Sequence, residues 1–159
     1  MEAIVAVFSD WGIGSEGTQQ VVLRADRQHF REITDGAAVI VGRRTMEDFP
    51  GGKPLKGRDN IVITRQDLTI EGAEVVHSAL EAAAAASARD RAIVIGGATV
   101  YRQMLPWMDT VHITKIDLAP KSDSFFPNLD EMPDWSCTDS TPWMEENGVR
   151  YAFCTYRKT

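Results

Sequence analysis

The chain has 159 residues and a mass of 17.6 kDa, which is enough for one domain that buries roughly 70% of the surface exposed by its unfolded form. Its composition, 43% hydrophobic and 25% charged, excludes disordered and fibrous proteins, and the net charge of −6 argues against a nucleic-acid binder. The apolar runs are too short to cross a membrane and no basic leader precedes them, so we expect a cytoplasmic protein.

Short β-branched runs alternate with helix-like segments along most of the chain. In chain order, the pattern predicts a strand at 4–7, a helix at 25–34, a strand at 38–41, a helix at 45–49, strands at 61–64 and 74–76, a helix at 78–88, a strand at 92–95, a helix at 98–105, and strands at 111–116 and 149–156. Apolar strands that alternate with helices indicate a parallel sheet covered on both faces.

The pattern changes after Leu105, because the later strands follow one another without helices. Asn147-Gly148, just before the last strand, is typical of a hairpin turn. We therefore predict one α/β domain over residues 1–159, with a mainly parallel twisted sheet of about eight strands, an antiparallel C-terminal hairpin and about four flanking helices.

The two cysteines and three histidines are scattered, without the close spacing of metal ligands, so no metal site is expected. We interpret Cys137 and Cys154 as small apolar side chains in late strands. A disulfide between them would require those strands to pair.

The predicted helix at 25–34 carries an acid on its apolar face. Leu23, Phe30 and Ile33 share one helical stripe, and Asp26 lies in it, four residues before Phe30. Two interpretations stay open at this point. Asp26 could satisfy backbone N–H groups in the first helical turn, or it could be a buried carboxylate that holds a polar ligand by two hydrogen bonds.

Glycine and arginine residues follow three of the predicted strands. Gly96-Gly97 joins the strand at 92–95 to a helix start whose free N–H groups suit a pyrophosphate, with a simple tight turn as the alternative explanation of two adjacent glycines. Gly42-Arg43-Arg44-Thr45 repeats the arrangement, and Arg65 follows the strand at 61–64. Because the carboxyl ends of parallel strands meet at one edge of a sheet, these groups predict an anion-binding crevice there.

A set of motifs also occurs in a characteristic order and spacing. The motifs are Gly12-Ile13-Gly14, Asp26 with Phe30, residues 41–45, residues 54–60, Ile95-Gly96-Gly97, Tyr101, Thr114, Asp123 and Phe126-Pro127. In this respect essentially the whole chain resembles the bacterial dihydrofolate reductases. The resemblance implies their fold and the NADPH-dependent reduction of 7,8-dihydrofolate to tetrahydrofolate by hydride transfer to the pteridine ring.

The resemblance further implies roles for individual residues. The implied catalytic residues are Asp26, which would bind the pteridine, Thr114, which would bond to Asp26, and Tyr101 near the nicotinamide. The implied substrate contacts are Ile4, Val5, Asp26, Phe30, Phe49, Leu55, Arg58, Ile95 and Thr114, with Arg58 pairing with the glutamate α-carboxylate. The implied contacts with NADPH are Ala6, Ile13, Gly14, Gly42, Arg43, Arg44, Thr45, Thr64, Arg65, Gly96, Gly97, Ala98, Thr99, Val100 and Tyr101.

The chain departs from this family in the segment after Gly14. The common bacterial pattern reads toward Leu-Pro-Trp, whereas this chain has Gln19-Gln20-Val21-Val22-Leu23, so Val21 replaces the usual tryptophan. In the family that indole orders a water near the acid. We therefore expect turnover that is slower or more sensitive to pH, and altered sensitivity to diaminopyrimidine inhibitors.

Two alternative functions stay open. A reductase of the same fold that acts on an intermediate of riboflavin synthesis would share the NADPH site but would not need Asp26, Arg58 and Thr114 together. A nucleotide-binding module that has lost its activity is the other alternative, favoured by the missing tryptophan. The expected partners are NADPH and dihydrofolate, with no nucleic acid and no membrane, and we expect a monomer.

Overall fold

The computed structural model describes residues 1–15 and 21–159. Within them, the strands are β1 (Glu2–Phe8), β2 (Gly12–Gly14), β3 (Ala38–Gly42), β4 (Asp59–Ile63), β5 (Ala73–Val76), β6 (Ala92–Gly96), β7 (Thr110–Ile116), β8 (Ser124–Phe125), β9 (Trp135–Ser140), β10 (Met144–Glu146) and β11 (Val149–Lys158). The α-helices are α1 (Arg24–Thr34), α2 (Arg43–Glu47), α3 (Ala79–Ser87) and α4 (Ala98–Met104). Short 3-10 turns lie at Pro50–Gly52, Leu105–Trp107 and Leu129–Glu131.

The main sheet has the strand order β10-β11-β7-β1-β6-β3-β4-β5, and β9 also pairs with β11. All contacts from β7 to β5 are parallel, and those that β11 makes with β7, β9 and β10 are antiparallel. The predicted fold class is therefore confirmed, including the C-terminal hairpin, whose turn residues Asn147 and Gly148 both have positive φ, at 51° and 81°. Strands β2 and β8 form a separate small sheet.

Helix α2 lies two residues earlier than the predicted segment at 45–49. It begins directly after Gly42 and ends at Glu47, and Phe49 is extended with ψ of 159°. Pro50 explains the early end, because a residue that precedes proline is disfavoured in the helical region. The sequence analysis also missed β9, whose residues after Trp135 are all exposed and so lack the apolar alternation of a half-buried strand.

Apolar side chains cover both faces of the sheet. One large cluster lies between the sheet and helices α3 and α4, and includes Ala82, Ala86, Val100, Tyr101 and Met104. A second cluster, formed by strand residues with Met46, Phe30 and Ile33, lies under α1 and α2. Among the described residues, no helix is both long and apolar enough to cross a membrane.

The pairing of β1 with β6 stops partway along the two strands. The ladder consists of Glu2 with Ile93 and Ala3 with Val94, whereas on its other side β1 stays paired with β7 as far as Phe8. The register between β3 and β6 shifts between Ile40 and Val41, so Ile95 is the extra residue of a bulge in β6. Strand β6 turns toward β3 at this point. Among the described strands, the carboxyl half of β1 therefore has no partner on the β6 side.

At the opposite end of the parallel strands, one carboxylate connects β1, β7 and the residue that precedes β6. Glu2 in β1 accepts two hydrogen bonds from Arg91, of 2.7 and 2.9 Å, and lies 2.7 Å from Nε2 of His112 in β7. Arg91 also donates to the Ile33 carbonyl in the last turn of α1. These bonds lower the pKa of Glu2 to about 2, with Arg91 as the largest cause.

This network predicts a specific loss of acid stability in Glu2→Gln. Because the folded pKa lies below the unfolded value of 4.5, Glu2 stabilises the protein fully above about pH 4.5, and the contribution disappears as the pH falls toward 2. We expect Glu2→Gln to lower the free energy of unfolding by about 1–3 kcal/mol at pH 7, allowing for the partial exposure of the pair. The deficit should vanish near pH 2.

Urea unfolding of wild type and variant between pH 2 and 7 measures this difference. Glu71→Gln, in the exposed segment before β5, removes the same charge elsewhere and serves as the control. A difference between wild type and Glu2→Gln that does not change with pH would contradict the assignment.

Candidate active site

The Asp26 carboxyl faces the sheet rather than the solvent. Helix α1 places it over β7, where the Thr114 hydroxyl donates to Asp26 Oδ1 at 2.6 Å. Thr114 is itself fully buried, with 1% of its surface exposed. Burial raises the pKa of Asp26, with the Glu146 carboxylate as a smaller cause in the same direction, while the Thr114 hydroxyl and His29 lower it.

This geometry excludes one of the two interpretations of Asp26. The N-cap position of α1 is Leu23, which has no capping side chain. The N–H groups of Arg24 and Ala25 donate instead to the two oxygens of Glu146, at 2.7 and 3.0 Å. Since a distant residue satisfies these donors, and the hydrogen bond that Asp26 accepts in the described structure comes from Thr114, the interpretation of Asp26 as a cap is wrong.

Tyr101 lies on the other side of the sheet from Asp26's helix, and its hydroxyl reaches back to β1. It donates a 2.6 Å hydrogen bond to the Ile4 carbonyl, at the point where β1 has lost its β6 partner. Burial raises the pKa of Tyr101 far above its usual range. The hydroxyl therefore stays protonated at neutral pH and satisfies a backbone group rather than serving as a base.

The structure brings five of the predicted apolar substrate contacts into one cluster. Ile4 and Ile95 are buried strand residues of that cluster, and three partly buried side chains pack against it, namely Phe30, Phe49 and Leu55. Val5 points to the opposite face and belongs to the large core cluster. The Ile4 side chain therefore belongs to this apolar wall next to α1. At Val5, only the backbone faces that side.

Arg58 is held at the far end of α1. Its Nε donates to the Thr34 hydroxyl at 3.1 Å, and its Nη atoms donate to the carbonyls of Lys56 and Arg31 at 2.7 and 3.2 Å. These bonds occupy three of the five guanidinium N–H donors, so two have no partner among the described residues. Arg58 also lines a shallow surface pocket with Arg31, Glu32 and Asp35.

The helix starts of α2 and α4 lie against each other. Gly42 pairs with Ile63 and its neighbour Val41 pairs with Gly96, so the ends of β4, β3 and β6 are adjacent. A Cβ on Gly97 would lie 2.8 Å from Thr45 Oγ1. The N-caps of both helices, Gly42 and Gly97, provide no side-chain hydrogen bond, which leaves the first N–H groups of Thr99 and its neighbours open to a ligand.

The basic residues around these helix starts differ in their surroundings. Arg43 donates to the Gln66 side chain and forms an ion pair with Glu47 at 3.5 Å. Arg44 and Arg65 are exposed, and Thr64 is buried with its hydroxyl accepting from the Gln66 N–H. The predicted anion-binding residues at the ends of three strands are thus neighbours. Of the three guanidiniums, that of Arg43 already has protein partners.

The loop after β1 is described only in part. Ile13 packs against the large core cluster, and Gly14 pairs with Ser124 of β8. Gln19 and Gln20 lie outside the described residues. Val21 is partly buried against a small cluster that contains Phe8. The expected effect of Val21 on turnover and inhibitors stays a prediction.

The sequence analysis missed two residues that surround Asp26. His29 stacks on Phe153 of β11 with ring centroids 4.0 Å apart, and burial lowers its pKa. Its position three residues after Asp26, on the same side of the helix, was a usable signal. Glu146 lies 120 residues from Asp26 in the sequence, and no local pattern indicates the contact.

Neither cysteine forms a disulfide. Cys137 is exposed in β9 and Cys154 is buried in β11, and both are free thiols. The interpretation as apolar filler is therefore correct for Cys154 and wrong for Cys137. Within the described residues, no group of three or more His, Cys, Asp and Glu side chains is arranged to hold a metal ion.

The fold and the site define a class of protein, a single-domain α/β protein with a buried acid and paired glycine-bearing helix starts at the carboxyl edge of its sheet. A family model described as dihydrofolate reductase matches residues 1–158. The chain belongs to the dihydrofolate reductase family.

Individual relatives agree with this assignment over nearly their whole length. Dihydrofolate reductase of Neisseria meningitidis serogroup B (strain ATCC BAA-335 / MC58) is 37% identical over 155 residues, covering 96% of this chain and 94% of the relative. That of Bacillus subtilis (strain 168) is 34% identical over 158 residues, covering 98% and 92%. The solved structure of dihydrofolate reductase from Enterococcus faecalis complexed with NADP(H) and RAB-propyl has a TM-score of 0.88 at 31% identity, covering 99% of this chain and 95% of that one.

The contact between Gly97 and Thr45 predicts that Gly97→Ala is destabilising. The added methyl group must displace Thr45 Oγ1, and we expect the free energy of unfolding to fall by about 1 kcal/mol. Thr45→Ala removes the obstructing atom, so Gly97→Ala should cost less in that background. Denaturant unfolding of the four proteins tests the coupling, and equal losses in both backgrounds would contradict it.

Proposed function

We propose that this protein catalyses the NADPH-dependent reduction of 7,8-dihydrofolate to 5,6,7,8-tetrahydrofolate. One hydride and one proton are added to adjacent atoms of the pteridine ring, and NADP⁺ is released. The observation that carries the proposal is the Asp26–Thr114 pair, in which an acid on the apolar face of α1 is bonded to the β7 residue that pairs with Ala6 of β1, in a chain of the dihydrofolate reductase family.

Asp26 binds the polar edge of the pteridine ring of the substrate. Its carboxylate accepts hydrogen bonds from the amino group and ring N–H of the pteridine, while Thr114 fixes the orientation of Oδ1. The raised pKa suits a group that favours protonation of a ring nitrogen near neutral pH, because the pKa of an effective acid lies near the working pH. Tyr101 keeps the β1 backbone in place beside the reacting rings.

The residues at the carboxyl edge fit NADPH by the chemistry of their donors. The uncapped starts of α2 and α4 offer N–H groups, Thr45 a hydroxyl, and Arg44 and Arg65 exposed guanidiniums that suit a ligand with a pyrophosphate and a further phosphate. Bound NADPH supplies the hydride. The backbone at Ala6 and the loop residues Ile13 and Gly14 lie beside the nicotinamide.

The remaining substrate contacts divide between an apolar wall and one cation. Phe30, Phe49 and Leu55 pack on the rings and the linker of dihydrofolate, next to Ile4 and Ile95. The two unoccupied donors of Arg58 bind the α-carboxylate of the glutamate. No side-chain nucleophile takes part, because the protein's task is to orient two rings and exclude water.

We also propose that the protein works as a monomer in the cytoplasm without nucleic acid. The free thiols of Cys137 and Cys154 fit a reducing compartment, and the charge of −6 disfavours a polyanionic macromolecule.

The direct test is to mix the purified protein with NADPH and dihydrofolate and follow the loss of NADPH absorbance. Parallel reactions contain NADH in place of NADPH, or a pyrimidine-ribitol intermediate of riboflavin synthesis in place of dihydrofolate. Turnover of the riboflavin intermediate alone would replace the proposed substrate. Binding of NADPH without any turnover would identify an inactive nucleotide-binding module.

Asp26→Asn should lower kcat about 100-fold or more, because a positioned side chain that promotes a proton transfer contributes at least this much, while the Kd for NADPH changes little. Asp90→Asn removes an exposed acid at the opposite edge of the sheet and serves as the control. Steady-state kinetics and NADPH titration measure the two quantities. Near-normal turnover of Asp26→Asn would remove this residue from the mechanism.

Arg58→Ala should raise the KM for dihydrofolate by about 10- to 100-fold, corresponding to roughly 1.5–3 kcal/mol for hydrogen bonds to a charged group. Arg58→Lys keeps the charge but lacks the planar fork, so it should recover only part of the loss. Arg102→Ala, an exposed arginine on α4, is the matched control. If KM stays at the wild-type value in Arg58→Ala, the carboxylate is bound elsewhere.

A further inference from the structure

Glu146 connects the C-terminal hairpin to the helix that carries Asp26. It is the last residue of β10, and its two carboxylate oxygens accept from the Arg24 and Ala25 N–H groups. These N–H groups lower the pKa of Glu146, Ala25 most, so the residue stays ionised at neutral pH. Glu146 therefore takes the place of an N-cap residue of α1, although it lies in a distant part of the chain.

The helix start needs this support because its own sequence provides none. Leu23 at the N-cap position has an apolar side chain, and it is buried. Without Glu146, two of the first N–H groups of α1 would have no side-chain partner among the described residues. Asp26, the acid of the first turn, is turned toward Thr114.

The strands that contact α1 near Asp26 are connected to one another by strand pairing. Strand β10 pairs with β11 through Glu146 and Val149, and β11 pairs with β7 through Phe153 and Thr114. Glu146 thus holds the helix start from the same group of strands that provides the hydroxyl for Asp26. A shift of the helix start would move Asp26 relative to Thr114.

We propose that Glu146 is a positioning residue for the reaction: it replaces the missing N-cap of α1, fixes Asp26 against Thr114, and places a second negative charge near the Asp26 carboxyl. The proposal rests on the proposed function, since it assigns Glu146 a part in the chemistry of Asp26. Its effect is exerted through the backbone of α1, which it contacts directly, and through its charge near Asp26.

The charged and titratable groups around Asp26 set the direction of the effect. His29 on α1 lowers the pKa of Asp26, as does the Thr114 hydroxyl of β7, and Glu146 of β10 raises it. Tyr101 on α4 stays neutral and adds no charge. Removing the charge of Glu146 should therefore lower the pKa of Asp26, and the positive end of the α1 dipole, no longer compensated, acts in the same direction.

The test compares Glu146→Gln with Glu145→Gln. The glutamine keeps an oxygen that can accept one of the two N–H groups, so the fold should be retained. Glu145 is exposed on the same strand and pairs with Arg150 across the hairpin, which makes it a matched control for loss of charge. The carboxyl carbon of Asp26 is titrated by ¹³C NMR in the protein without ligands, and kcat/KM for dihydrofolate is measured against pH.

We expect the midpoint of the Asp26 titration to fall by about half a pH unit in Glu146→Gln. This shift is smaller than that from a direct charge contact, because solvent screens the charge of Glu146. The pH profile of kcat/KM should move by the same amount, which a merely structural role would not cause. Glu145→Gln should leave both midpoints in place. Glu146→Asp keeps the charge with a shorter reach, so its midpoint should stay near wild type while exchange of the Ala25 amide hydrogen becomes faster.

An unchanged Asp26 midpoint in Glu146→Gln, or equal shifts in the two glutamine variants, would overturn the proposal. The titration needs no substrate, so it decides the role of Glu146 even if the wild-type protein fails to reduce dihydrofolate. Normal reduction of dihydrofolate with no shift in Glu146→Gln would overturn only the positioning role and leave the proposed function intact.

Discussion

The separation of β1 from β6 is the constraint on which the site depends. A parallel sheet normally pairs every inner strand on both sides, yet here the ladder ends after Ala3 and Val94. The backbone groups that lose their partner need new ones, and Tyr101 provides one by donating to the Ile4 carbonyl. The bulge at Ile95 turns β6 toward β3 and makes the separation possible without breaking the rest of the sheet. Flat rings can then lie beside the backbone of a core strand.

The position of Asp26 combines two opposing requirements. An acid on the apolar face of a helix is costly to bury, and its pKa rises for that reason. The Thr114 hydroxyl offsets part of this cost and fixes one oxygen. The N–H groups of the first helical turn, which would otherwise attract the same carboxylate, are bound by Glu146. Asp26 is thus available to a ligand because another acid satisfies the helix.

Features that depend on neighbouring residues could be predicted from the sequence. The inner strands have apolar runs, Gly42 and Gly97 lie at helix starts, and the spacing from Leu23 to Ile33 places Asp26 on the inner face of α1. The family resemblance added Thr114, and the structure contains the hydrogen bond that it implies. By contrast, β9 carries few apolar residues. The contact of Glu146 with α1 joins residues more than 120 positions apart, which only the folded sheet brings together.

The edges of the main sheet have a further physical consequence. The outer strands are β10 and β9 beside β11, with three and six residues, and β5 at the other edge, with four, so each exposes only a short run of unpaired backbone groups. Glu145 and Glu146 give β10 two negative charges, and any strand that approached this edge would have to desolvate them. The acid that binds the first N–H groups of α1 thereby also makes the β10 edge unfavourable for pairing with another strand.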